Sequence, residues 1–163
     1  MIRIGIIGYG YWGPNLVRNF MNVEGGTVSH ICDLDIKKLE IAKKKYPSIN
    51  TTNSIDQVFE NSEIDAIVIA TPVSTHYDLA LKALESNKHI LVEKPLTNNV
   101  EQAQILGKKA NDKNKILMID HTYLYTPAIQ KIKELIDSNS LGEIQYIDST
   151  RINLGLFQTD VNV

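Results

Sequence analysis

The chain has 163 residues, 43% of them hydrophobic and 22% charged, which suffices for one compact domain and the start of another. A net charge of -2 gives no broad attraction to a polyanion, so nucleic acid is excluded as an expected partner. No apolar run approaches membrane-spanning length, and the opening MIRIGIIGYG lacks the pattern of a secretion signal, so no membrane partner is expected and the location read from the sequence is cytoplasmic.

In chain order, short β-branched runs alternate with longer segments of helical periodicity, the pattern of βαβ units around a parallel sheet. Strands are expected over 3–7, 27–32, 66–70, 89–92 and 116–119, with 51–52 as a short polar edge strand. Helices are expected over 15–21, 36–45, 55–60, 75–86 and 99–111. Asp35 reads as a helix cap, and Ser54 with Gln57 and Asn98 with Glu101 read as reciprocal capping pairs. Cys32, the single cysteine, rules out an internal disulfide and reads as a buried small hydrophobe. Thr126 caps a further helix with Pro127 in its first turn and Ile129, Ile132, Leu135 and Ile136 on one face. After Gly142, residues 143–153 alternate like a strand, which would need a homo-oligomeric or complementing chain to cover its edges. The fold class is therefore α/β, a Rossmann doubly wound parallel sheet with only the beginning of an α+β second domain: 1–121 as the nucleotide-binding domain, 122–163 as a linking helix and first strand.

The candidate chemistry begins at GYGYWG, which leaves a strand and enters a helix, as a dinucleotide fingerprint should. Gly8 allows the tight turn, Gly10 lets a pyrophosphate approach the backbone, and Gly13 lets helix and strand pack closely. Asp33, at the end of the next strand, is placed to accept hydrogen bonds from the adenosine ribose, which favours NAD over NADP, although Lys37 or Lys38 could offset a 2′-phosphate. Thr71 and Pro72 end one strand and Glu93, Lys94 and Pro95 another, so both groups belong at the carboxyl edge where open α/β sheets bind ligands. A lysine there could donate to a substrate hydroxyl, with partial desolvation tuning it; the alternative is a plain Glu93–Lys94 surface pair. No metal is expected.

Together GYGYWG, CDLD, ATPVSTH, VEKP and DHTYLYTPAIQKIKELI resemble the Gfo/Idh/MocA family of NAD(P)-dependent oxidoreductases over nearly the whole chain. The tail STRINLGLFQTDVNV is similar to the branch that oxidises nucleotide-linked amino sugars, the UDP-N-acetylglucosamine and UDP-N-acetylglucosaminuronic acid 3-dehydrogenases. The resemblance implies that Lys94 sits beside the nicotinamide and the reacting hydroxyl and that Glu93 helps form that pocket. It also implies that Thr71, Pro72 and His76 line the cofactor and that Tyr11 and Trp12 cover it or shape its loop. His76 reads equally well as an ordinary helix residue, and His121 and Tyr123 as near the nicotinamide or structural. The family takes the substrate proton with a histidine of a second domain, which no residue here matches, so the chain is expected to be catalytically incomplete. The function so implied is hydride transfer from a secondary alcohol of a sugar or nucleotide-sugar to NAD. The alternative is a non-catalytic nucleotide-binding or interaction module from a truncated or split gene.

Overall fold

The computed structural model describes residues 1–150 and 152. The chain divides into two units, the first spanning Met1–His121 and the second beginning at Thr122.

In the first unit, six parallel strands form one sheet: β1 Ile2–Ile7, β2 Gly26–Cys32, β3 Asn50–Thr52, β4 Ala66–Ile69, β5 His89–Val92 and β6 Leu117–Ile119. Their order is β3-β2-β1-β4-β5-β6, so the chain winds outward from β1 in one direction and then restarts from β4 in the other. The helices between them are α1 Gly13–Met21, α2 Ile36–Lys45, α3 Asp56–Phe59, α4 His76–Glu85 and α5 Val100–Asp112, with a 3-10 turn at Val73–Thr75 ahead of α4.

Period-two alternation along the central strands sends neighbouring residues to opposite faces. Ile4, Ile6 and Val68 pack with Leu16, Val17, Leu39 and Ala42 of α1 and α2. Ile7, Ile67 and Ile69 pack with Phe59, Ala80, Leu84 and Leu106 of α3, α4 and α5. Both faces are therefore apolar, which is why these strands read as continuous β-branched runs. Complete burial of Ile6 and Ile67 contributes about 2 kcal/mol each. This core holds the strand ends, and hence the site, in place.

Several caps differ from expectation. Asp35 does cap α2, accepting the Lys37 amide at 2.9 Å. The cap of α5 is Asn99 rather than Asn98: its backbone is extended and its side chain accepts the Gln102 amide at 2.9 Å. Ser54 caps nothing, because α3 starts at Asp56 after Ile55, and the Ser54 amide donates to Thr52 Oγ1 at 3.0 Å.

The second unit has a 3-10 turn at Thr122–Tyr125 and α6 Pro127–Asp137. Pro127 stands in its first turn, but the Thr126 hydroxyl donates back to the Tyr123 carbonyl at 2.8 Å instead of capping. The strand expected over 143–153 does not form: residues 143–150 and 152 lack strand structure, while 151 and 153 lie outside the described residues. Alternation gives a strand its two faces, but a strand needs a hydrogen-bonded neighbour, and none pairs with this segment among the described residues.

Candidate active site at the carboxyl edge of the sheet

The strand order reverses between β1 and β4, which opens a crevice at the carboxyl ends of the strands. The turn from β1 into α1 occupies one side of it. Gly8 has φ +99°, a conformation that favours glycine, and a Cβ there would collide with the Ala70 carbonyl oxygen of the chain leaving β4. A Cβ on Gly13 would strike the Gly8 carbonyl oxygen, so the helix can start this close to the strand only with glycine. Gly10 differs, since nothing lies within 4 Å of its Cβ direction. Among the described residues no hydrogen bond engages the amides of Gly10, Tyr11, Trp12 or Gly13, at the positive end of α1. Open space and free donors at a helix start fit a pyrophosphate. Tyr11 and Trp12 stand edge to face, centroids 5.6 Å apart, and both are exposed beside this turn.

Asp33 follows β2 directly. One carboxylate oxygen accepts the Tyr9 amide at 2.6 Å and the other accepts the Asp35 amide at 2.8 Å. The carboxylate thus braces the glycine turn while retaining lone pairs for further donors. Lys38 Nζ lies 3.9 Å away, whereas Lys37 has no ion pair with it.

Across the reversal, Thr71 and Pro72 follow β4, with Thr71 Oγ1 2.7 Å from Thr75 Oγ1 and the Pro72 carbonyl accepting the Thr75 amide at 2.9 Å. His76 is 1% exposed, and its two ring nitrogens lie 2.8 Å from the carbonyl oxygens of Thr71 and Pro95. Carbonyls only accept, so both contacts are hydrogen bonds when each ring nitrogen carries a hydrogen. With its ring enclosed in this way, His76 ties the ends of β4 and β5 together from beneath and offers no face to a ligand, unlike the cofactor-lining place implied by the family motif.

Glu93 and Lys94 follow β5, and the Lys94–Pro95 peptide bond is cis. Lys94 is exposed. Its neighbour is the buried group: Glu93 is 8% exposed, and burial, reinforced by the Asp120 carboxyl, pushes its own carboxyl up to about 7. Asp120 was missed by sequence reasoning. Its signal was available, since it is the first polar residue after β6, as Glu93 is after β5. His121 is exposed just beyond it, and Tyr123 belongs to the second unit.

A cleft of about 580 Å³ lies at the opposite edge, near Asp65, Lys88 and His89. The Lys88 ammonium there donates to the carbonyls of Asn61 at 2.6 Å and Ile64 at 2.7 Å, a tie for the loop before β4 rather than a reactive group. Among the described residues no cluster of three or more His, Cys, Asp or Glu is placed to hold a metal ion.

A family profile described as "Oxidoreductase family, NAD-binding Rossmann fold" matches residues 2–121. The chain belongs to the Gfo/Idh/MocA oxidoreductase family. The first unit is its NAD-binding Rossmann domain, and every residue of the edge just described falls within it. Among curated Gfo/Idh/MocA relatives, the NAD(+)-dependent scyllo-inositol 2-dehydrogenase of Bacillus subtilis is 30% identical over 152 residues, covering 92% of this chain and 44% of that protein. A solved NAD-binding protein from Listeria innocua superimposes with a TM-score of 0.79 at 30% identity, covering 87% of this chain and 42% of that one. A solved myo-inositol 2-dehydrogenase from Lactobacillus plantarum gives a TM-score of 0.80 at 26% identity, covering 88% and 43%. The chain therefore spans less than half the length of these relatives, two of which are named for inositols and none for the UDP-linked amino sugars that the tail suggested. No helix among the described residues is long and apolar enough to cross a membrane.

Proposed function

We propose that the chain holds NAD across the carboxyl edge, with the pyrophosphate on the turn from Gly8 to Gly13 and the adenosine ribose at Asp33. The nicotinamide would lie by Thr71, Pro72, Glu93 and Lys94, with Tyr11 and Trp12 flanking the cofactor. The observation that carries this reading is that these groups, scattered through the sequence, leave the ends of β1, β2, β4 and β5 on one edge, on both sides of the strand-order reversal. His76 serves the same site by holding the loops that carry Thr71 and Lys94.

NAD, when bound, supplies the hydride acceptor. The protein's part is placement: Lys94, exposed at the mouth, donates a hydrogen bond to the hydroxyl being oxidised, and the buried Glu93 fixes the Lys94 backbone by accepting its amide at 3.2 Å. The substrate class we infer is a ring polyol or sugar with a secondary hydroxyl, supported by the inositol dehydrogenases among the relatives. A nucleotide-linked amino sugar is the narrower form of this reading. It rests on the tail STRINLGLFQTDVNV, most of which lies outside the described residues.

The test is titration with NADH and NADPH, followed by energy transfer from Trp12, the single tryptophan, with calorimetry alongside. Saturable NADH binding, tighter than NADPH, is the expected result, and Asp33 is the residue that should set the preference. Failure of both nucleotides to bind would overturn the reading. Calorimetry of scyllo-inositol and of UDP-N-acetylglucosamine against the NADH-loaded chain then separates the two substrate readings.

A further inference from the structure

β5 and β6 run parallel, and Val92 beside Ile119 is the last pair of their ladder. The next residue on each strand is acidic, Glu93 on one and Asp120 on the other. The backbone fixes both, because the Glu93 amide donates to the Ile69 carbonyl at 2.9 Å and the Asp120 amide to the Val92 carbonyl at 2.9 Å. Residues level with each other on parallel strands put their side chains on the same face. The two carboxyl groups accordingly face each other, and that of Asp120, by its charge and as a hydrogen-bonding partner, pushes that of Glu93 up. Ionised carboxylates only accept, so a hydrogen bond between them requires a proton held by one of the two. Little water reaches Glu93 to screen a second negative charge. Lys94 is the cation acting on Glu93, while His76, from α4, is bonded to backbone carbonyls rather than to either carboxyl. His121, next to Asp120, is exposed and gives its amide to the Ile119 carbonyl at 2.8 Å.

We propose that Glu93 and Asp120 form a proton-sharing carboxyl pair that sets the charge facing the nicotinamide end of the site, and so makes the relative affinity for NAD+ and NADH depend on pH. The inference rests on the nicotinamide lying beside Glu93 and Lys94, as in the proposed function. With its proton the pair carries one negative charge, and without it two. The oxidised nicotinamide ring is positive and the reduced ring neutral, so loss of the proton favours NAD+. By linkage, NAD+ binding should expel that proton. Asp120, the first residue of DHTYLYTPAIQKIKELI, where it was given no role, thereby becomes a positioning residue for charge at the reacting end.

Two measurements test this. In the cofactor-free chain, carbon-13 NMR of labelled aspartate and glutamate carboxyls from pH 4 to 9 should show Glu93 and Asp120 titrating as a coupled pair, in two separated steps. Asp120→Asn should collapse the Glu93 titration to one step at lower pH. Independent titration of both groups in the ordinary carboxylate range would overturn the pair. Affinities for NAD+ and NADH, measured at pH 6 and pH 8, should then shift toward NAD+ on the order of tenfold in the unaltered chain and stay flat in Asp120→Asn. A ratio independent of pH, with the coupled titration present, would overturn the proposed role. If neither nucleotide binds while the coupled titration is seen, the cofactor reading itself fails and takes that role with it.

Discussion

The Asp33 carboxylate accepts the backbone amide of Tyr9 at 2.6 Å, so the end of the second strand holds the glycine turn that leaves the first. A residue expected to meet the ribose is also a brace for the pyrophosphate loop. Asp33→Ala should therefore act twice. Loss of two amide-to-carboxylate bonds lowers stability by about 1–3 kcal/mol, read by urea unfolding, and NADH affinity falls by about tenfold or more, read by calorimetry. Unchanged stability would show that the turn does not depend on this bond.

Gly10 and Gly13 separate folding from binding. An added methyl on Gly13 meets the Gly8 carbonyl oxygen, so Gly13→Ala should cost about 1–3 kcal/mol and lower the thermal midpoint. The same methyl on Gly10 meets nothing within 4 Å, so Gly10→Ala should leave stability within about 0.5 kcal/mol. It should nonetheless weaken NADH, because it fills the space through which the pyrophosphate reaches the amides. Equal effects of the two variants on stability would contradict this account.

Stability should fall as the pH rises toward 7, and Glu93 is the cause. Burial, with Asp120 adding to it, raises its carboxyl from 4.5 to about 7, so the folded state holds a proton that the unfolded chain releases. The cost is absent below pH 4.5, grows between there and pH 7, and reaches on the order of 2–3 kcal/mol above. Urea midpoints at pH 5, 6, 7 and 8 should show this slope, and Glu93→Gln should flatten it. The same slope in the variant would assign the effect elsewhere.

His76 and Lys94 should give opposite profiles. His76→Ala empties a fully enclosed position and strands two carbonyls, at a cost of about 2–4 kcal/mol. Lys94→Met alters an exposed side chain, so folding and NADH binding should change little while binding of scyllo-inositol to the NADH-loaded chain weakens by about tenfold. Unchanged polyol binding in Lys94→Met would remove that residue from the substrate site.

The sheet was legible because its central strands are buried on both faces and so stand out as β-branched runs. The polar edge strand Asn50–Thr52 was found from doubly wound topology rather than from its own weak pattern. Neighbouring asparagines at 98 and 99 offer the same chemistry, and only the extended backbone of Asn99 selects it as the cap. Residues 143–150 alternate imperfectly, and alternation carries no information about a pairing partner. Glycines, Asp33 and Lys94 were recognisable because local motifs name them. The meeting of Glu93 with Asp120, and of His76 with Pro95, depends on strand register and loop packing, which no local pattern records.

Cys32 lies at the end of β2 with 1% exposure, and burial pushes its thiol up to about 11. Its carbonyl anchors the glycine turn through the Gly8 amide at 2.8 Å. As the single cysteine it is a natural clock for opening at the sheet's centre, because a maleimide can label it only when β1 and β2 part. A dinucleotide that clamps the neighbouring turn would slow that clock, letting occupancy be timed without any optical signal from the cofactor.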